Sequence, residues 1–194
     1  MISIQRVVSA FSTNTYVVRK DTASLVIDPS GDAEKLYRLA TEKDCRLVAI
    51  LLTHGHFDHI DALEGLVRLS GAPVYVADED RPMLTDPHLN ASWLAMCRIT
   101  ADVDDVRTVT DGEELELFGI PVRVYATPGH TGGCVCYRIG NALFSGDTVF
   151  ADGYGRTDLA GARPELYAAS LRAIEELMRT NSLYPGHGRI IIKE

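Results

Sequence analysis

The 194-residue chain is 46% hydrophobic and 24% charged, a composition that excludes disorder and leaves enough apolar residues for a sizeable core. Its formal net charge of −8, with no block of Lys or Arg, excludes the footprint of a nucleic-acid or anionic-membrane binder. No apolar run approaches the roughly 20 residues that span a bilayer, and Met1 to Val8 lacks the pattern of a secretory signal, so the expectation is a cytoplasmic protein acting on a small molecule.

In chain order, Ile2 to Val8, Asn14 to Arg19 and Ser24 to Ile27 read as short antiparallel strands, closed by the turn signal Asp28-Pro29-Ser30-Gly31. Leu36, Leu39 and Ala40 give Asp32 to Thr41 a helical period behind a polar cap. Leu47 to Leu52 is a continuous apolar run, as in a strand buried on both faces. Asp58 to Leu69 returns to helical spacing, ended by Gly71-Ala72-Pro73 before a strand at Val74 to Ala77. The segment 78–100, with two prolines, His88 and the single tryptophan Trp93, predicts a short helical insert or a lid, and His88 reads as a loop histidine. Strands follow at Glu114 to Leu117, Val122 to Ala126, Cys134 to Ile139 and Ala142 to Ser145, the last two joined by a Gly140-Asn141 hairpin. Pro164 to Met178 is an amphipathic helix, and Ser182 to Tyr184 and Arg189 to Ile192 close the chain as edge strands. Two β-rich halves with helices between strands, and no linker, predict a mixed α/β (α+β) fold in one domain over 1–194, with sheets packed face to face and helices outside. None of the four cysteines forms a CxxC pair, so reduced thiols are expected.

Five of the six histidines sit in short polar motifs that directly follow apolar strand runs. Leu51-Leu52 leads into Thr53-His54-Gly55-His56-Phe57-Asp58-His59, Tyr125-Ala126 into Thr127-Pro128-Gly129-His130, and Leu183-Tyr184 into Pro185-Gly186-His187-Gly188. A fourth run, Leu143-Phe144-Ser145, leads into Gly146-Asp147-Thr148. Imidazole and carboxylate suit zinc, iron or manganese. His54, His56, Asp58, His59, His130, Asp147 and His187 outnumber the ligands of one tetrahedral ion, and a carboxylate among them is able to bridge two. The expected cofactors are therefore two divalent transition-metal ions, zinc favoured and iron or manganese compatible. With two carboxylates and a bridging hydroxide such a pair keeps a net positive charge, which favours an anionic substrate or a developing oxyanion.

The motif Thr53 to His59, followed in order by Thr127 to Thr131, Gly146 to Thr148 and Pro185 to Gly188, resembles the metallo-β-lactamase superfamily and in particular its compact glyoxalase II-like members. That resemblance spans Asp28 to His187 and implies an αββα sandwich. It also implies that His54, His56 and His130 hold one metal, Asp58, His59 and His187 the other, that Asp147 bridges them, and that Asp28 braces the metal-binding loop from behind. The major β-lactamase subclass carries cysteine where this chain has Asp147, which disfavours antibiotic hydrolysis. Full-length glyoxalase II enzymes add a C-terminal helical region that grips glutathione, whereas this sequence ends at Glu194. The motif Gly155-Arg156-Thr157-Asp158 is similar to one in compact glyoxalase II-like proteins and in the persulfide dioxygenases, which use one iron.

These readings predict a metal-dependent hydrolase that cleaves a thioester, such as S-lactoylglutathione or a related acyl-thiol, with a hydroxide generated at the metals. Asp58 is the candidate catalytic residue, orienting the water or carrying its proton. Phe57, Tyr154 and Arg156 are candidate substrate contacts because they flank the metal motifs, with Trp93 in the possible lid; packing, or an Arg156–Asp158 ion pair, is the plainer role for each. The competing functions are a single-iron persulfide dioxygenase, a lactonase or other esterase of the same fold, and a non-catalytic metal-binding domain.

Overall fold

A computed structural model describes residues 1–193; Glu194, the last residue of the expected domain, lies outside the described residues. The first sheet has six strands in sequential order: β1 (Ile2–Val8), β2 (Asn14–Lys20), β3 (Ala23–Ile27), β4 (Arg46–Leu51), β5 (Val74–Ala77) and β6 (Val106–Val109). β1 to β3 pair antiparallel through short turns, while β3 to β6 pair parallel. Parallel neighbours need crossovers, and α1 (Ala33–Ala40) and α3 (Leu63–Ser70) supply two of them. The second sheet runs β13-β10-β9-β8-β7, built from β7 (Glu114–Leu117), β8 (Ile120–Ala126), β9 (Val135–Ile139), β10 (Ala142–Gly146) and β13 (Ser182–Pro185). A small ribbon of β11 (Val149–Phe150) and β12 (Gly153–Tyr154) follows β10, and α4 (Pro164–Leu177) leads to β13.

Three apolar layers follow from strand alternation. Between the sheets Leu25, Ile27 and Leu51 meet Val122, Val124, Tyr137 and Phe144, all essentially inaccessible. On the outside of the first sheet Val26, Ile50 and Leu52 meet Leu36, Leu63 and Leu66 of the helices. On the outside of the second, Cys136, Leu143 and Leu183 meet Ile174 of α4. Each such large apolar side chain stabilises the fold by roughly 1.5–3 kcal/mol relative to exposure. The result is the expected αββα sandwich.

Hydrogen bonds across the sandwich lock the sheets in register. Tyr16 of β2 donates its hydroxyl to the Pro185 carbonyl at 2.7 Å, Tyr137 donates to Leu52 O at 2.9 Å, and the Val135 amide donates to Thr53 O at 2.9 Å.

Several expectations need correction. The helix predicted from Asp58 to Leu69 is two helices, α2 (Phe57–Ile60) and α3, because the Ala62 amide donates to Pro29 O and the Asp61 carboxylate accepts from the Gly31 amide, turning the chain between them. The strand expected at Arg189 to Ile192 is reduced to a single bridge between Leu183 and Ile191. The strand β6 and the β11–β12 ribbon were not expected; Val106–Val109 is half exposed and lacks an apolar run, and the ribbon's strands are two residues each. The insert at 78–100 is helical only as two 3₁₀ stretches, Asp78–Leu84 and Ser92–Ala95, pinned by the Asn90 amide on Met83 O and Ile99 O. The Gly140-Asn141 hairpin and four unpaired cysteines are as expected. No helix among the described residues is long and apolar enough to cross a membrane.

Candidate metal centre

Four strand ends from both sheets deliver the site. β4 runs out into His54, His56, Asp58 and His59, β8 into His130, β10 into Asp147 and β13 into His187. Their approach requires missing side chains at two points. A Cβ on Gly146 would lie 2.6 Å from Thr53 Cβ, and one on Gly186 would overlap Asp147 Oδ1 and sit 2.8 Å from His59 Cε1. Gly146 also has a φ of 49°, which favours glycine.

All seven predicted ligands converge. Three overlapping groups, His54/His56/His130, His54/His59/Asp147 and Asp58/His59/His187, each have ligand atoms within 4.8 Å of one another. Asp147 lies between them, with Oδ2 3.6 Å from His130 Nε2 and 3.4 Å from His187 Nε2, and Oδ1 3.4 Å from His59 Nε2. Asp58 Oδ2 is 3.2 Å from His187 Nε2 and 3.6 Å from His59 Nε2.

The ring orientations are fixed from behind. Nδ1 of His130 lies 2.6 Å from Arg156 O, Nδ1 of His187 3.0 Å from Ser12 O, Nδ1 of His59 3.0 Å from Asp28 Oδ2, and Nδ1 of His54 3.2 Å from Thr53 Oγ1. Each of these four rings therefore turns Nε2 inward, the arrangement by which an outer partner sets the tautomer of a ligating histidine. His56 is reversed, its Nδ1 2.9 Å from His130 Nε2. His54 Nε2, His56 Nε2, both ring nitrogens of His59 and Asp147 Oδ1 are buried without a hydrogen bond, the approach of His59 to Asp28 being a charge contact only. Orphaned buried polar atoms cost about 1–3 kcal/mol each, so imidazole nitrogens gathered around a carboxylate without hydrogen bonds between them fit a cation. Two divalent ions suit the donor set.

Charge coupling is correspondingly strong. Burial, then the neighbouring imidazoles His59 and His56, push His54 well below the usual histidine range, and burial with His130 beside it takes His56 down to about 3. Burial also lowers His59 and His187, but the carboxylates prevail: Asp58 and Asp147 hold His59 well up, and Asp147 and Asp58 raise His187 to about 10. Against the upward push of burial, His59, His187 and Thr13 hold Asp58 down at about 2, and His59 and His187 hold Asp147 well below the usual carboxylate range.

Asp28 stands where the sequence expected it. At φ 51° its carboxylate reaches back to accept the Thr53 amide and hydroxyl, both at 2.7 Å, besides facing His59. The substrate-contact candidates divide. Phe57 is half-buried and meets Phe11 edge-on at 5.2 Å, beside the ligands that flank it. Arg156 contributes its carbonyl to His130, while its exposed guanidinium forks onto Asp158 at 2.6 and 2.7 Å, the plainer role. The Tyr154 hydroxyl is exposed and 3.4 Å from Glu175. His88 packs on half-exposed Trp93 at 5.3 Å, outside the metal groups.

Sequence reasoning missed three residues. Thr13 donates to Asp58 Oδ2 at 2.8 Å, Ser12 holds His187 through its carbonyl, and Asp80 ties two ligand loops together. Asp80 Oδ2 accepts from the Gly55 amide at 2.9 Å and Thr131 Oγ1 at 2.7 Å, and Oδ1 from the Gly133 amide at 2.8 Å. The signal that found the ligands, an acidic residue just past an apolar strand, was present at Asp78-Glu79-Asp80 after β5.

Residues 8–187 match the Metallo-beta-lactamase superfamily. Among curated proteins the chain is similar to the probable metallo-hydrolase YqgX of Bacillus subtilis (strain 168), 35% identical over 185 residues, covering 93% of this chain and 87% of that protein. It is also similar to the hydroxyacylglutathione hydrolase GloC of Haemophilus influenzae, 31% identical over 188 residues, covering 93% and 88%. Of solved structures, the BLEG-1 B3 metallo-beta-lactamase superposes with a TM-score of 0.88 at 34% identity, over 98% of this chain and 93% of that one. TTHA1623 in a di-iron-bound form does so with a TM-score of 0.84 at 34% identity, over 96% and 93%.

Proposed function

The chain belongs to the metallo-beta-lactamase superfamily as a metal-dependent hydrolase, and from that premise we propose that it cleaves a thioester. The observation that carries the reading is the set of imidazoles braced through Nδ1, with the Nε2 atoms of His59, His130 and His187 turned onto the carboxylates of Asp58 and Asp147. His54, His56 and His130 would hold one divalent ion and Asp58, His59 and His187 the other, with Asp147 shared between them. Bound there, the ions would make water a nucleophile at neutral pH and polarise the substrate carbonyl.

The chain's own contribution is positional. Asp58, ionised at neutral pH and steadied by Thr13, is an acceptor that orients the attacking water. His59 and His130 are inaccessible or nearly so, which keeps bulk solvent off the inner face of the centre. In the net reaction water adds at the carbonyl carbon, the C–S bond breaks, and carboxylate, thiol and one proton leave.

The likeness to GloC supports a thioester substrate. That to BLEG-1 favours a second reading, opening of a β-lactam ring, and the likeness to TTHA1623, whose structure is a di-iron-bound form, supports testing iron beside zinc. Protein of measured zinc and iron content, assayed under nitrogen against thioesters, lactones, a chromogenic cephalosporin and phosphodiesters, tests these together. Thioester cleavage that disappears on chelation and returns with metal is expected. Full activity after complete metal removal, or β-lactam turnover exceeding thioester turnover, would refute the proposal, and no hydrolysis under nitrogen together with iron-dependent oxygen uptake in air on a glutathione persulfide would favour a dioxygenase.

A further inference from the structure

The accessible edge of the metal centre lies between Asp58 and His187, whose side chains are 15% and 29% exposed while His54 and His59 are closed off. Aromatic rings frame that edge. Phe57 and Phe11 meet on the Asp58 side, and Phe11 is anchored because the next two residues bind His187 and Asp58. On the other side Phe150 stands edge-on to the His187 imidazole at 5.9 Å. Beside it opens a cleft of about 180 Å³ lined by Phe150, Ala151, Asp152, His187, Gly188 and Arg189, so that one wall is itself a metal-centre residue.

The cations that line or touch this cleft are already engaged: Arg189 forks onto Asp152 at 3.1 and 2.9 Å, and Arg6 donates to Gly188 O at 3.0 Å. A substrate carboxylate would have to displace Asp152 from an equivalent fork on Arg189, an exchange with little net gain. A glutathione thioester, with two carboxylates and an ammonium, therefore finds no free pair of cations here among the described residues. An uncharged chain has no such requirement. At about 30 Å³ per water- or methylene-sized group the cleft holds about six.

We propose that this cleft between Phe150 and Gly188 receives an uncharged, apolar acyl chain of about six carbons, so that the enzyme selects medium-chain acyl thioesters over glutathione thioesters of short hydroxy acids. The proposal rests on the thioester reading above and adds the substrate class. Burying one methylene is worth about 0.8 kcal/mol, so binding tightens about fourfold per added carbon until the cleft is full.

Two measurements on metal-loaded protein test it. Hydrolysis is followed with acetyl, butanoyl, hexanoyl and decanoyl thioesters of N-acetylcysteamine and with S-lactoylglutathione. Binding is followed by calorimetry with the ketone analogues in which a methylene replaces sulfur, in the natural protein and in Phe150→Trp and Ala151→Leu, both of which fill the cleft. The expected result is kcat/KM rising to a plateau near hexanoyl and exceeding that for S-lactoylglutathione at least tenfold, with the hexanoyl ketone binding at least tenfold tighter than the acetyl ketone and that difference lost in both variants. A flat chain-length profile, preference for S-lactoylglutathione, or chain-length-dependent binding untouched by both variants overturns it. Chain-length-dependent binding lost in both variants without cleavage of any thioester upholds the cleft and removes the thioester reading instead.

Discussion

Asp80 offers the sharpest test of how this centre is assembled. Its carboxylate is 1% exposed and joins the loop carrying His54 and His56, through the Gly55 amide, to the loop carrying His130, through Thr131 and Gly133. In Asp80→Ala the Thr131 hydroxyl still has Cys134 Sγ at 3.1 Å, but the Gly55 and Gly133 amides lose their acceptor. Two orphaned buried donors at about 1–3 kcal/mol each, partly offset by relief of the carboxylate's own desolvation, give a net loss of about 2–4 kcal/mol. Removing a partner that orients metal ligands typically costs about 10–100-fold in affinity, and here the loss should fall on the ion held by His54, His56 and His130. The other group keeps its braces on Asp28, Ser12 and Thr13. Asp80→Asn should be no full rescue, since its amide nitrogen sets a donor against a donor. Urea unfolding reads the stability, and native mass spectrometry against a competing chelator reads the two ions separately. An Asp80→Ala protein with natural stability and both ions at natural affinity would refute the reasoning, and equal weakening of both ions would show that Asp80 supports the fold at large rather than one ligand group.

Two further outcomes follow from the geometry. Gly186→Ala drives a methyl into Asp147 Oδ1 and toward His59 Cε1, so metal content should fall well below two ions per chain and the melting temperature should drop, as elemental analysis and scanning calorimetry would show; retention of both ions would contradict the close approach. In the metal-free protein His187 is raised from 6.5 to about 10 and His59 is also raised, so near pH 7 both carry protons that metal must expel. Metal uptake should release protons, and affinity should climb as pH rises; titration calorimetry in buffers of different ionisation enthalpy measures this. The sign for folding is the reverse: the raised His187 stabilises the metal-free protein fully below pH 6.5 and loses that contribution as pH rises through about 10.

The candidate ligands were legible in the sequence because strand ends are. A continuous apolar run such as Leu47 to Leu52 marks a strand buried on both faces, and polar residues immediately after it have one place to go, the rim of the sheet. The same argument located His130, Asp147 and His187, and the resemblance to the metallo-β-lactamase superfamily supplied Asp28. What stayed hidden had no local pattern. Ser12 acts through its backbone carbonyl, which no side chain announces, and Thr13 is paired with Asp58 across 45 positions. Asp61 and Ala62 break a helix that is periodic on paper because their partners, Gly31 and Pro29, lie in a different loop. The predicted strand at Arg189 to Ile192 is apolar enough, but it lies beyond β13 at the sheet edge and keeps one bridge only.

The centre and the sandwich are energetically one object. The candidate ligands come from β4 of one sheet and from β8, β10 and β13 of the other, so they can hold ions together only while the sheets keep their register. That register is set beside the site by Tyr16 on Pro185, by the Val135 amide on Thr53, and by the Asn14 amide donating to Gly186 O at 2.6 Å. Without metal, the same convergence leaves imidazole nitrogens unpaired next to Asp147, a standing cost on the folded state that a cation would remove. Binding therefore stabilises the interface between the sheets and not the loops alone, and the glycines at 146 and 186, at the end of β10 and just past β13, stand where a Cβ would run into Thr53 and His59 from the other half of the fold.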